Sequence, residues 1–241
     1  MRLLVFYILV LSSCCCYAQK DAGFWFDKGD TAAQKKEYKE AIKYFSKGLK
    51  LNSKDTDAYY NRGLAKYQLE KFEDAITDFT KVIELNPKDA DAYGDRGAAK
   101  NELRKYEEAI EDLNKAIELS PKVVRFYYTR GNAKFDLGHY NEAFDDLSAA
   151  VDLSPKSAYV YYARANAKFD FGDYKDAIDD YSKAIELNPK NTYAYYSRGL
   201  ARYNIGNYKE AIDDYNKAIE LNPHDKDFKE SLLRAQERLP K

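Results

Sequence analysis

Two histidines, three adjacent cysteines and a series of Asp-Asp pairs are the residues of this chain best equipped for chemistry. A histidine beside a nucleophile would serve acyl transfer, and paired carboxylates would serve general acid and base work. Neither arrangement is assembled. His139 and His224 fall in turns far apart in the repeat lattice described below, so neither can pair with a serine or cysteine nucleophile. Asp145-Asp146 and Asp179-Asp180 recur at one phase of the second helix of successive repeats, which marks a solvated or salt-bridged face. There is no Gly-rich phosphate loop. Two His, with all Cys packed at Cys14, Cys15 and Cys16, leave little for a metal cage or a disulfide framework. The chain reads as a non-enzyme with no cofactor and no metal site.

What it does must then come from how its other residues are arrayed, and that array is regular. From Ala22 onward the sequence repeats with a period of 34, without insertion or deletion. A small residue recurs at Gly29, Gly63, Gly97, Gly131, Ala165 and Gly199. Twelve residues after each comes Ala41, Ala75, Ala109, Ala143, Ala177 or Ala211, and four before each comes Trp25, Tyr59, Tyr93, Tyr127, Tyr161 or Tyr195. Pro87, Pro121, Pro155, Pro189 and Pro223 hold a further phase, with Ser53 in the first unit. The units are 22–55, 56–89, 90–123, 124–157, 158–191 and 192–225, and such a period marks a solenoid.

Each unit reads as a helical hairpin. Phe72, Ala75, Ile76, Phe79, Val82 and Ile83 keep to a 3.6-residue period and form one apolar stripe, predicting a helix from about Glu73 to Leu85. Ala58 to Leu69 makes the helix before it, and the short Glu70-Lys71-Phe72 link forces the two antiparallel. Gly138, Gly172 and Gly206 stand in later links, where glycine ends a helix at the lowest steric cost. The residue before each proline is pushed out of the helical region and stops the second helix. Gly63 and Ala75 are small so that the helices of a hairpin can approach closely.

Charge and the N-terminal segment bound the partners. With 39 Lys+Arg against 40 Asp+Glu, the chain lacks the basic surplus that displaces counterions from nucleic acid. Arg2 is followed by nine apolar residues, Leu3 to Leu11, too few to span a bilayer as a helix, and then by small and polar residues. Residues 1–18 read as a secretory signal peptide. Cys16-Tyr17-Ala18 suits cleavage before Gln19, whereas Leu11-Ser12-Ser13-Cys14 resembles the bacterial lipobox, with the signal ending at residue 13 and Cys14 lipidated. Both readings stand open. Either exports the protein to the periplasm, the exterior, or a lipid anchor on the cell envelope, with no transmembrane helix in the mature chain.

Tyr59, Gly63, Ala75, Phe79 and Pro87 fill, in order, the aromatic, glycine, alanine, aromatic and proline positions of the tetratricopeptide repeat family, which this chain resembles in all six units. The resemblance implies an all-α solenoid of antiparallel hairpins wound into a right-handed superhelix. It also implies that 226–239 forms an added C-terminal helix, and that the first helices of successive hairpins line a concave groove. The phases it assigns to the groove fall on Tyr60, Leu64 and Tyr67, then Gly94, Ala98 and Asn101, then Arg125, Tyr128, Asn132 and Phe135. Tyr159, Tyr162, Asn166 and Phe169 follow, with Tyr193, Tyr196, Leu200 and Tyr203 last. The family's carboxylate clamp for cytosolic chaperones is missing: Tyr128 and Asn132, or Phe26 and Asp30, stand at its first positions, and Ala163, Tyr193 and Ser197 where polar and basic groups are required.

The groove residues suit an extended peptide. Asn132 and Asn166 occupy one phase of adjacent hairpins, and an amide can pair with both N–H and C=O of a peptide backbone. The aromatics offer flat, partly polar contact area at low entropic cost. Arg125 at the mouth would favour an acidic residue in the ligand. The function expected is a non-catalytic scaffold for a protein or peptide partner. The alternative is a structural element that self-assembles into homo-oligomers within an envelope complex.

Two departures from the family pattern bear on stability. The residue before the small position is basic, as Lys28, Arg62, Arg96, Arg130, Arg164 and Arg198, and sixteen residues later stand Tyr44, Asp78, Asp112, Asp146, Asp180 and Asp214. Only the first unit lacks both arginine and aspartate, which predicts Arg–Asp bridges within or between hairpins. The first unit also carries Lys35 in place of an apolar residue, and Gly48, which is expected to weaken its second helix.

Overall fold

The computed structural model describes residues 21–239; the expected leader, its two cleavage positions and Cys14 lie outside the described residues. Within them thirteen helices follow one another: α1 (Ala22–Gln34), α2 (Tyr38–Leu51), α3 (Thr56–Tyr67), α4 (Phe72–Leu85), α5 (Ala90–Glu102), α6 (Tyr106–Leu119), α7 (Val124–Asp136), α8 (Tyr140–Leu153), α9 (Ala158–Phe171), α10 (Tyr174–Leu187), α11 (Thr192–Asn204), α12 (Tyr208–Leu221) and α13 (Lys226–Glu237). The fold is all-α, built of tandem hairpins. The chain divides into two compact units, Met1–Ala99 and Lys100–Lys241, the division falling inside α5.

The helix ends follow from local chemistry. First helices begin at an Asx residue whose side chain accepts from the backbone three residues on: Asp55 from Ala58 N, Asp89 from Ala92 N and Asn191 from Ala194 N. At the equivalent positions Val123 and Ser157, α7 and α9 start without such a bond. Second helices stop one residue before the Asn-Pro or Ser-Pro pair, where Asn86 is already out of helical geometry at φ −137 and ψ 87.

Between the helices of a hairpin the chain reverses through one residue with positive φ. Gly138, Gly172 and Gly206 hold it in the later repeats, at φ 82, 98 and 84, but Lys36, Glu70 and Arg104 hold it in the first three, at 62, 57 and 57. An L-residue in this region costs roughly 1–2 kcal/mol, partly offset by the greater freedom glycine has when unfolded. Glu70→Gly or Arg104→Gly should therefore raise stability by about 0.5–1 kcal/mol each, seen as a higher urea midpoint at unchanged slope.

The core lies between the two helices of each hairpin. Ala41, Ala75, Ala109, Ala143, Ala177 and Ala211 are all fully buried. A Cβ on Gly63 would come within 2.8 Å of the Phe79 ring, and one on Gly199 within 2.6 Å of the Tyr215 ring, so close approach is the reason for both glycines. Gly48 has a steric reason as well. A Cβ there would meet the Phe26 ring at 2.2 Å, so its glycine makes room for a large side chain that packs in the first core cluster.

The arginine ladder is present, and it is more highly connected than the sequence suggested. Arg62, Arg130, Arg164 and Arg198 grip Asp78, Asp146, Asp180 and Asp214 of their own hairpins, through Nε at 2.8–3.0 Å and Nη2 at 2.5–2.7 Å. The remaining nitrogen, Nη1, donates to the second helix of the preceding repeat: Arg62 to Ser46, Arg96 to Thr80, Arg130 to Asn114, Arg164 to Ser148 and Arg198 to Ser182. Each guanidinium also lies over a tyrosine, as Arg164 does over Tyr161 at 5.8 Å. A second cation on each aspartate went unread in the sequence: Lys66, Lys100, Lys134, Lys168 and Arg202 reach Asp78, Asp112, Asp146, Asp180 and Asp214 at 2.7–3.1 Å. In the first repeat cation–π contacts replace the ion pair, with Lys28 Nζ 5.5 Å from the Tyr44 ring and Lys47 Nζ 4.3 Å from the Trp25 ring.

Candidate functional site

In the second unit the last turn of α5 and the inward faces of α7 and α9 enclose an open cavity of about 290 Å³. Residues one helical turn apart fall on one face, so Tyr128, Asn132, Phe135 and Asp136 of α7 line one wall together. Asn166 and Asp170 of α9 line the other, with Ala163 and Ala167 small enough to leave the space open. Asn101 completes it from α5.

Five of the expected groove residues, Asn101, Tyr128, Asn132, Phe135 and Asn166, are thereby brought together. Most of the others are engaged elsewhere. Tyr60 and Tyr67 belong to the first unit, where the Tyr60 hydroxyl donates to Asp95 at 2.5 Å and the Tyr67 ring meets Phe72 edge-on. Arg125 does not line the cavity; its guanidinium lies 4.7 Å above the Phe126 ring. Tyr162 and Phe169 pack into the core cluster around Tyr181. Tyr196 is covered by α13, with Phe228 at 4.6 Å between ring centres and Ser231 at 3.2 Å from its hydroxyl, and Tyr203 meets Tyr208 edge-on.

The two amides are not equivalent. Asn166 Oδ1 accepts the hydroxyl of Tyr181 at 2.8 Å, and burial pushes that phenol above the ordinary tyrosine range. Asn166 therefore supports the core as well as lining the groove. Replacing it removes one of two hydrogen bonds to that hydroxyl, the other being to Ser197, and should cost about 0.5–1.5 kcal/mol.

Asp136 and Asp170 were not expected in the groove, although each directly follows an assigned groove aromatic, Phe135 or Phe169, and sits one position further round its helix. Asp136 also accepts a hydrogen bond from Tyr106. The first unit has a larger cavity of about 530 Å³, lined by Gln34, Asn61 and Gln68, of which Asn61 already donates to Asp30 at 3.0 Å. Among the described residues no group of three or more His, Cys, Asp or Glu is placed to hold a metal ion, and no helix is long and apolar enough to cross a membrane.

Profiles described as tetratricopeptide repeat match residues 29–70, 56–89, 79–111, 101–138, 128–191 and 162–226, overlapping without a gap. No curated protein matches the chain. Among solved structures, a tetratricopeptide repeat protein from Parabacteroides merdae ATCC 43184 superposes with a TM-score of 0.72 at 21% identity, over 91% of this chain and 86% of that one. MamA gives 0.61 at 29% identity, over 70% and 92%. YrrB, described as a TPR protein with an unusual peptide-binding site, gives 0.60 at 22% identity, over 80% and 97%.

Proposed function

The chain belongs to the tetratricopeptide repeat family, whose members generally act as non-catalytic protein-interaction scaffolds, and we propose that it binds an extended peptide segment of a partner protein in the cavity between α5, α7 and α9. The observation that carries this reading is Asn132. It lines an open cavity between aromatic residues, and its amide offers two donors and an acceptor to a peptide backbone. Tyr128, stacked edge-on against Tyr159 at 4.9 Å, supplies a fixed aromatic wall beside it. YrrB carries a peptide-binding site, but at its level of identity the likeness extends to the fold alone, so the cavity and not the neighbour supports the reading.

Peptides selected from a displayed random library with the full chain provide the probe. Tyr128→Ala with Asn132→Ala should weaken their binding by about 1–3 kcal/mol, roughly 5- to 150-fold in Kd, through lost hydrogen bonds and aromatic contact. The thermal midpoint should move little, which circular dichroism checks. Selected peptides that bind wild type and double variant equally would place the site elsewhere. The expected leader puts this activity outside the cytoplasm. N-terminal mass spectrometry of the cellular protein tests that reading, which fails if residues 1–18 are retained.

A further inference from the structure

The charges around the cavity all have one sign. Two carboxylates, Asp136 and Asp170, line it, and no lysine or arginine does. The nearest lysines along the same helices face away: Lys134 and Lys168 are held by Asp146 and Asp180 in the ladder. A bound chain segment therefore meets a wall of acceptors that includes two carboxylates and no cation.

A second observation comes from Asn101. It takes the phase held in other repeats by Tyr67, Phe135, Phe169 and Tyr203, each of which meets edge-on the aromatic that opens the second helix. Here the residue is polar. Its Oδ1 is shut off from solvent and has no hydrogen-bond donor among the described residues. A buried acceptor left unpaired is unfavourable, and few are tolerated in a folded protein without a reason. Asn101 also lines the cavity, and the terminal torsion of an asparagine is broad, so its amide can adjust to a donor that enters there.

We infer that this groove is built for a cationic side chain, a lysine or arginine of the bound segment seated between Asp136 and Asp170 with Asn101 as a further acceptor. The inference rests on the proposed peptide groove and reverses the charge preference that Arg125 suggested. It also accounts for the state of Asp170, whose carboxyl is raised above the ordinary range by partial burial and then by the charge of Asp136. An arriving ammonium or guanidinium relieves both effects, since a nearby opposite charge favours the ionised form. Charge-assisted bonds to two carboxylates would set the register of the peptide, while Asn132 pairs with its backbone.

The test uses peptides selected with the full chain, resynthesised with lysine, arginine, norleucine or glutamate at each position in turn. Norleucine keeps the apolar stem of lysine and removes the charge. At one position lysine or arginine should bind about tenfold more tightly than norleucine, and glutamate more weakly than either. The ratio should fall towards one in Asp136→Asn/Asp170→Asn, and also in wild type as salt is raised. The salt titration needs no variant to fold.

A wild-type ratio near one at every position, or one that salt and the double variant leave unchanged, overturns the inference. The groove reading survives that result if Tyr128→Ala with Asn132→Ala still weakens binding. If no peptide is recovered, or if binding ignores Tyr128 and Asn132, both readings fall. Spermidine titrated alone separates the remaining source of positive charge: tighter binding of spermidine than of the lysine peptides would mean a free polyamine site and would overturn the inference.

Discussion

Asp180→Ala should destabilise the protein by about 3–5 kcal/mol, seen as a large fall in the denaturant midpoint. The aspartate is 6% exposed and holds three short contacts, to Arg164 Nε at 2.8 Å, Arg164 Nη2 at 2.7 Å and Lys168 Nζ at 2.9 Å. Removing it leaves two cations without their counter-charge in a place water reaches poorly. The attraction of a buried pair is nearly cancelled by the cost of dehydrating it, so the expected loss measures the stranded charges and not the worth of the bridge. Arg164→Ala should cost less than Asp180→Ala, because Lys168 still compensates the carboxylate. A cycle combining Arg164→Ala and Asp180→Ala should show coupling above about 1 kcal/mol. The exposed pair Lys183–Glu186, although as short at 2.7 Å, should show no measurable loss when broken, because solvent screens it. Equal effects at Asp180 and Glu186 would end the reading of the ladder as a buried network.

Why the ladder was legible and the cavity was not comes down to repetition. Arg164 and Asp180 recur at fixed phase in five units, and their joint absence from the first repeat, where Lys28 and Tyr44 stand, links them before any coordinate is known. The same logic gives the helices, whose observed bounds at Thr56–Tyr67 and Phe72–Leu85 differ from expectation by only one or two residues, since fraying at the ends depends on local caps. The site depends on departures from the repeat. Asn101 matters because it is not aromatic, and Tyr196 drops out of the groove because α13 happens to cover it. Asn166 illustrates the remaining difficulty. Its phase matches Asn132, yet Tyr181 stands where the fourth repeat has Leu147, and only that hydroxyl turns the asparagine towards the core. A list of phases treats equivalent positions alike, whereas a binding site is made from the positions that have ceased to be equivalent.

Phe228→Ala should remove about 3–5 kcal/mol of local stability, the range for truncating a buried phenylalanine, but the loss should be distributed differently from that of Asp180→Ala. Phe228 is 1% exposed and packs on Tyr196 at 4.6 Å and on Tyr193 at 6.0 Å, holding α13 against the sixth hairpin. In a tandem array each repeat is stabilised mainly by its immediate neighbours, so damage at one end need not propagate. Hydrogen exchange should show α13 opening first, then α11 and α12, with the amides of α7 to α10 close to wild-type protection. Asp180→Ala, placed inside the array, should lower protection on both sides of α10. Leu233→Ala on the same α13 is the control: its side chain is 59% exposed, and its loss should leave the exchange of α11 and α12 unchanged. Because Asn132 and Tyr128 lie two hairpins away, peptide binding should survive Phe228→Ala at temperatures where α13 is already open. A simultaneous loss of protection from α7 to α13 in that variant would mean that the second unit opens as one block and not repeat by repeat.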